Sequence, residues 1–197
     1  MPCQNRVLPT GEVIAHPARG AFMGNRGILH DAQGLHPTRR WAHKGWVTCQ
    51  LSFKGRRRFP LMRPGTYTEL FFHDEAVAFA AGHRPCAECR RYRAALRFEG
   101  TAKALDDLLH AERVVPRAFR QRRHRRDIGA LPDGAFLLTP EGTPAVLWQG
   151  ALHPFDPGGY LPPRAVPAGQ VDVLTPPTTL DAFHAGYRPL VQLRAAP

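Results

Sequence analysis

Hydrophobic and polar positions change places over short distances along this chain, and the period of the change differs from segment to segment. Val47, Cys49, Leu51 and Phe53 alternate with their neighbours, the two-residue period of a strand with one buried face, so Cys49 is expected to point into a core. Lys54-Gly55 supplies a turn, and residues 56–61 return as the second arm of a hairpin, held to a sheet edge by Pro60. Residues 66–72 read as another strand. At Asp74 the pattern becomes helical. Asp74 is the expected cap of a helix over residues 74–81, and Gly82 ends it. Further helices are predicted over residues 87–98 and 101–113, the latter capped by Thr101, with Leu105, Leu108 and Leu109 at helical spacing. Short strands are expected at residues 12–16, 134–139, 145–149, 171–174 and 190–193, and a capped helix at 178–184 ended by Gly186. Residues 20–31, with Gly20, Gly24 and Gly27, read as a loop, and the prolines from Pro154 to Pro167 as rigid loop.

This mixture is α+β, with a short mixed sheet and a second small α+β part. The length suits one domain or two small ones, the second beginning where the charge changes near Ile128. That division separates a basic part, residues 1–128, from a near-neutral part, residues 129–197, which is either its own domain or a continuation.

Charge alters the picture most. The chain carries a formal net charge of +11, well beyond what solubility requires. Between His36 and Arg63 lie Arg39, Arg40, Lys44, Lys54, Arg56, Arg57 and Arg58, with no acid among them. A second block from Arg113 to Arg126 holds Arg117, Arg120, Arg122, Arg123, Arg125 and Arg126, again without an acid. Like charges this dense repel unless a polyanion neutralises them, so nucleic acid is the expected partner, DNA before RNA. Trp41, Trp46 and Phe59 lie beside the first block, either to stack on bases or to fill a core.

The chemistry concentrates at Gly82-His83-Arg84-Pro85-Cys86-Ala87-Glu88-Cys89. Two thiolates two residues apart turn toward one point when the backbone between them curls, which is how tetrahedral zinc is held. A redox pair or two packed thiols are the other readings of such a pair. Zinc takes four ligands. Cys86 and Cys89 supply two, Cys49 is the natural third, and the fourth comes from His43, His73 or His83, with His43 preferred.

From Tyr67 to Cys89 the order of strand, cap, helix, glycine and Arg-Pro-Cys-x-x-Cys knuckle resembles the second half of the Ada-type zinc module of bacterial alkylation-repair regulators. Related knuckles are appended to some secreted nucleases, which place a histidine a few residues before their first cysteine. The Ada-type module has a close pair of cysteines upstream where this chain has only Cys49, so its methyl-acceptor chemistry is not carried over. The resemblance implies a structural zinc site in a protein that faces nucleic acid.

Catalysis has two candidate clusters. Asn25, Arg26, His30 and Asp31 share the glycine-bearing segment, and His30 beside Asp31 offers a base and a carboxylate for work at a phosphodiester. The alternative is an ordinary turn, with Asp31 capping its own backbone. Arg123, His124 and Asp127 form the second group. The chain has no P-loop, H-E-x-x-H, G-x-S-x-G or dinucleotide fingerprint. No apolar run opens the sequence and none is long enough to span a bilayer, so a cytoplasmic protein with reduced thiols is expected. The reading is therefore a cytoplasmic, zinc-stabilised nucleic-acid-binding protein. The alternatives are a nuclease or repair enzyme with zinc as scaffold, or an enzyme acting on a small phosphorylated substrate.

Overall fold

A computed structural model describes residues 2–55, 59–89, 98–118 and 120–193. Its α+β architecture rests on two six-stranded sheets with a buried helix packed against both. The first sheet draws on the N-terminal part: β1 (Gln4–Val7), β2 (Val13–Ala15), β3 (Phe22–Asn25), β6 (Val47–Gln50), β7 (Leu70–Phe72) and β8 (Arg84–Pro85), in the order β2-β1-β7-β3-β6-β8. Most pairs are antiparallel, but β1 with β7 and β6 with β8 are parallel. Between them in sequence, β4 (His30–Asp31) and β5 (Gly34–Leu35) make a separate two-stranded ladder.

The second sheet is antiparallel throughout. It contains β9 (His124–Asp127), β10 (Phe136–Leu138), β11 (Pro144–Trp148), β12 (Ala151–Asp156), β13 (Gly159–Tyr160) and β14 (Gln170–Val173), in the order β13-β12-β11-β10-β14-β9. The charge change near Ile128 thus falls at the end of β9, a strand of this sheet.

Helix α1 (Glu75–Ala80) is buried on every residue. Asp74 caps it by accepting from the Val77 N–H at 2.9 Å. One core cluster joins Val7, Leu70 and Phe72 of the first sheet, Ala76, Val77 and Ala80 of α1, and Phe136, Val146 and Phe155 of the second. Small alanines let a helix sit close to both sheets. Helix α2 (Ala102–Arg113) is capped by Thr101, whose hydroxyl accepts from Ala104 N–H at 3.1 Å, and buries Leu105 and Leu109. Helix α3 (Pro177–His184) packs its Ala182 against them.

Several expectations need correction. Residues 20–31 are not a loop: Phe22 to Asn25 form a strand of the first sheet, paired with β7 on one side and β6 on the other. Gly24 belongs there because a Cβ at that position would lie 2.2 Å from the Val47 carbonyl oxygen. Among the described residues the hairpin after β6 is not found. Strand β6 is internal, flanked by β3 and β8, and residues 59–61 form no strand. Residues 56–58, the start of its expected return arm, lie outside the described residues. The proline-rich passage opens with β12 and β13, with Pro154 taking a place in the ladder opposite Ala145. Residues 190–193 are not a strand; the Leu190 carbonyl instead accepts from Glu75 N–H at 3.2 Å at the start of α1. Of the helix expected at 87–98, residues 87–89 are turn and residues 90–97 lie outside the described residues.

Candidate metal centre and the arginine-lined cleft

Cys49, Cys86 and Cys89 converge. Their sulfurs lie within 4.8 Å of one another, and they are the group of metal-donor side chains found among the described residues. The sheet register explains the meeting. In the parallel β6–β8 ladder Val47 pairs with Arg84 and Thr48 with Pro85, so one more step sets Cys49 beside Cys86. Cys86 N–H donates to the Thr48 carbonyl at 3.0 Å, which holds the knuckle to the strand. The turn then brings Cys89 round: its N–H reaches Cys86 Sγ at 3.1 Å, and the two sulfurs lie 2.7 Å apart.

The face assigned to Cys49 from alternation is wrong. Thr48 is the residue that points into the core, fully buried, with its hydroxyl donating to Met23 O at 3.3 Å. Cys49 points to the other face, toward the knuckle. Hydrogen bonding with Cys86 and then burial push the Cys49 thiol well above the ordinary thiol range. Burial and the Cys86 hydrogen bond push Cys89 the same way. Crowded thiols become thiolates when a soft cation replaces their protons, and three of them this close could hold a metal ion.

His43 does not join this group. It is exposed, its carbonyl accepts from Trp46 Nε1 at 3.0 Å, and its ring lies beside Gly27. His83 is fully buried, with its Nε2 accepting from Arg26 Nε at 3.3 Å. His73 Nε2 meets the Gln192 carbonyl at 2.8 Å. His73-Asp74-Glu75 ahead of Pro85-Cys86-x-x-Cys89 also spells the zinc-deaminase signature H-x-E plus P-C-x-x-C. The geometry separates the two halves: Glu75 accepts from Tyr187 Oη at 2.7 Å and Leu190 N–H at 3.0 Å, and His73 stays away from the thiols.

Arg84 of the knuckle ties it to α2. Its Nε and Nη2 donate to the two oxygens of Asp106 at 2.6 and 2.9 Å, a nearly buried bidentate pair. Behind it lies a group that sequence reasoning missed. Arg26 and Arg113, each 1% exposed, bring their guanidinium carbons to 4.2 and 4.0 Å from the Trp46 ring centre. Arg113 also donates to Gly82 O at 2.6 Å and to Lys44 O. Gly82 is required here: a Cβ would lie 2.4 Å from Arg113 Cδ, and its φ of +81° is left-handed. Burial holds Arg113 down at about 9, still protonated at neutral pH. A signal was available, because Arg113 follows Leu105 and Leu109 at four-residue steps and so shares their buried face.

His30 and Asp31 do not converge on a cleft. Neighbours on a strand face opposite ways, and in β4 His30 points inward while Asp31 is exposed. Both ring nitrogens of His30 are engaged, Nδ1 with Thr68 Oγ1 at 2.7 Å and Nε2 with Arg63 O at 3.1 Å. Asp31 Oδ1 accepts from Gln33 N–H at 2.9 Å, an ordinary turn in which the carboxylate caps its own backbone.

The basic residues divide. Arg39 and Arg40 line two neighbouring cavities of about 450 and 430 Å³, with Arg117 in the second. Arg40 Nη1 donates to Ala118 O at 3.3 Å, which ties the first block to the second. Arg120 lines the narrow pocket beside Trp46, and Arg122 is exposed, reaching Val114 O at 3.2 Å. Arg123 and Arg125 face Asp172 on β14 at 3.7 and 3.4 Å, so part of their charge is answered within the chain. Arg126 is exposed and donates to the Arg125 carbonyl at 3.0 Å. Arg56, Arg57 and Arg58 lie outside the described residues. Trp41 is half-buried against Trp46 and His110, Trp46 belongs to the core, and Phe59 is 90% exposed. No helix among the described residues is long and apolar enough to cross a membrane. No family model, curated protein or solved structure matches the chain.

Proposed function

We propose that this chain is a nucleic-acid-binding protein, with DNA as the expected polyanion, stabilised by zinc at Cys49, Cys86 and Cys89. The observation that carries the reading is the convergence of three thiols, Cys49 near the end of β6 and Cys86 and Cys89 just after β8, with Trp46 immediately before β6. Cys49 follows Trp46 by three residues, roughly 10 Å along a strand, so the metal would brace the strand that supports the arginine-lined cleft. Thiolate donors of this number suit zinc and exclude the hard cations, which take oxygen. The Ada-type pattern from Tyr67 to Cys89 supports the same reading, as does the net charge of +11.

A second reading, repair or cleavage of nucleic acid, is favoured by one feature. Among the described residues the donor group has three members, and zinc with three protein ligands keeps a position for water or a reacting group. When bound there, zinc would supply a Lewis acid or an activated water.

Fluorescence anisotropy with labelled duplex DNA, single-stranded DNA and RNA over a series of salt concentrations tests the proposal. Log affinity should fall linearly with log salt, and Arg39→Ala with Arg40→Ala should reduce the slope by roughly one for each phosphate that the variant no longer neutralises. Absence of binding to all three at low salt contradicts it. Release of shorter fragments or free bases from the labelled strand selects the second reading.

A further inference from the structure

Arg26 is a charge without an answer. It is 1% exposed, and among the described residues it makes no ion pair with a carboxylate. Among the described residues the charges of Arg113 and Arg40 act on it, and both oppose its own. A buried cation is costly unless it is paired or fully hydrogen-bonded. Two of its nitrogens are used: Nη1 donates to Gly11 O at 2.9 Å and Nε to His83 Nε2 at 3.3 Å. The third, Nη2, is buried and among the described residues has no hydrogen-bond partner. The Trp46 ring offsets part of the cost.

An anion in the adjoining cavity would answer that charge. Arg26 and Gly11 both line the cavity of about 450 Å³, whose rim carries His36, Arg39 and Arg40. Leu29 and Leu35 add apolar wall, as ligand cavities of this size commonly have. Glu12 is the acid on this wall. It is exposed, accepts from Thr10 Oγ1 at 3.1 Å, and acts on Arg40 rather than on Arg26.

We infer that this cleft is a phosphate site, with Arg26 lining its buried end and Arg39 and Arg40 at its rim, and that it takes a phosphate monoester or phosphodiester. Guanidinium forks match phosphate oxygens, and an anion there would answer the charge that Arg26 carries. The inference goes beyond the nucleic-acid reading and does not involve the metal, because the same oxygens are offered by a strand and by a small phosphorylated molecule.

Thermal melting and titration calorimetry of the full chain with inorganic phosphate, against potassium chloride at matched ionic strength, test it. Phosphate should raise the melting temperature with concentration where chloride does not, as a ligand of the native state must. Arg26→Lys should weaken phosphate binding about tenfold, since a point charge on a shorter reach replaces the fork. Arg39→Ala, at the exposed rim, should weaken it a few-fold without loss of fold. Competition by a short oligonucleotide identifies the strand as the source of phosphate, and lack of competition identifies a small molecule; either supports the site. Equal effects of phosphate and chloride on the unaltered protein overturn it, even if Arg26→Lys fails to fold. A folded Arg26→Lys with full phosphate affinity overturns it as well. DNA binding without a phosphate effect would sink the pocket and spare the nucleic-acid reading, and phosphate binding without DNA binding would do the reverse.

Discussion

The two sheets solve the problem of burial with different chemistry. The second, from β9 to β14, is antiparallel throughout, with Phe136, Leu137, Val146, Leu147 and Phe155 buried, and its stability follows from apolar area removed from water. The first, from β1 to β8, buries Arg26, His83, Arg84 and Arg113 around Trp46 and gathers three thiols at its β6–β8 edge. Charges in an interior cost free energy and are tolerated where geometry holds them for a purpose. On the proposed reading the first sheet carries the binding chemistry, and the second supplies a wall against which α1 packs.

The largest effects should come from the thiol edge. Cys86→Ser removes a metal ligand, and loss of bound zinc should lower stability by on the order of 4 kcal/mol or more, read by denaturant unfolding with and without a chelator. A chelator that leaves the midpoint of the unaltered protein unchanged would erase the difference drawn between the sheets. Phe136→Ala tests the other side. It opens a cavity in a fully buried position and should cost about 3–5 kcal/mol, whether or not metal is present. Asp106→Asn breaks the bidentate pair that anchors Arg84 and should cost about 3 kcal/mol, with a weaker hold on metal because β8 is no longer tied to α2.

How far these features could be read in advance differs by sheet and by range. Asp74 and Thr101 were legible as caps because capping depends on residues three apart. Cys86 and Cys89 were legible because a knuckle is local. The face of Cys49 was not, since alternation from Val47 to Phe53 suggested a core that the ladder with β8 reverses by burying Thr48. Gly24 read as loop because its partner, the Val47 carbonyl, comes from a strand more than twenty residues away. Arg26 and Arg113 looked like surface charge. Only the fold shows that Trp46 lies between elements that carry them.

The smallest effect concerns pH, and it too separates the sheets. Burial, reinforced by Arg26 and Arg113, holds His83 well below its ordinary value, and its Nε2 must stay unprotonated to accept from Arg26. The folded state therefore binds the proton less readily than the unfolded state. Stability from this group is complete above the unfolded pKa of about 6.5 and falls by about 1.4 kcal/mol per pH unit below it. His83→Gln keeps an acceptor and removes the titration, so the difference in unfolding free energy between the two proteins should narrow on acidification from pH 7 to pH 5. A constant difference would place His83 outside the linkage.

Metal content tests the central claim most directly. Freshly purified, reduced protein should contain close to one zinc per chain by elemental analysis, and Cys49→Ser, purified in the same way, should contain much less. Protein without metal would contradict the account, and so would Cys49→Ser that keeps its zinc in full, because the β6 thiol would then have no part in the centre.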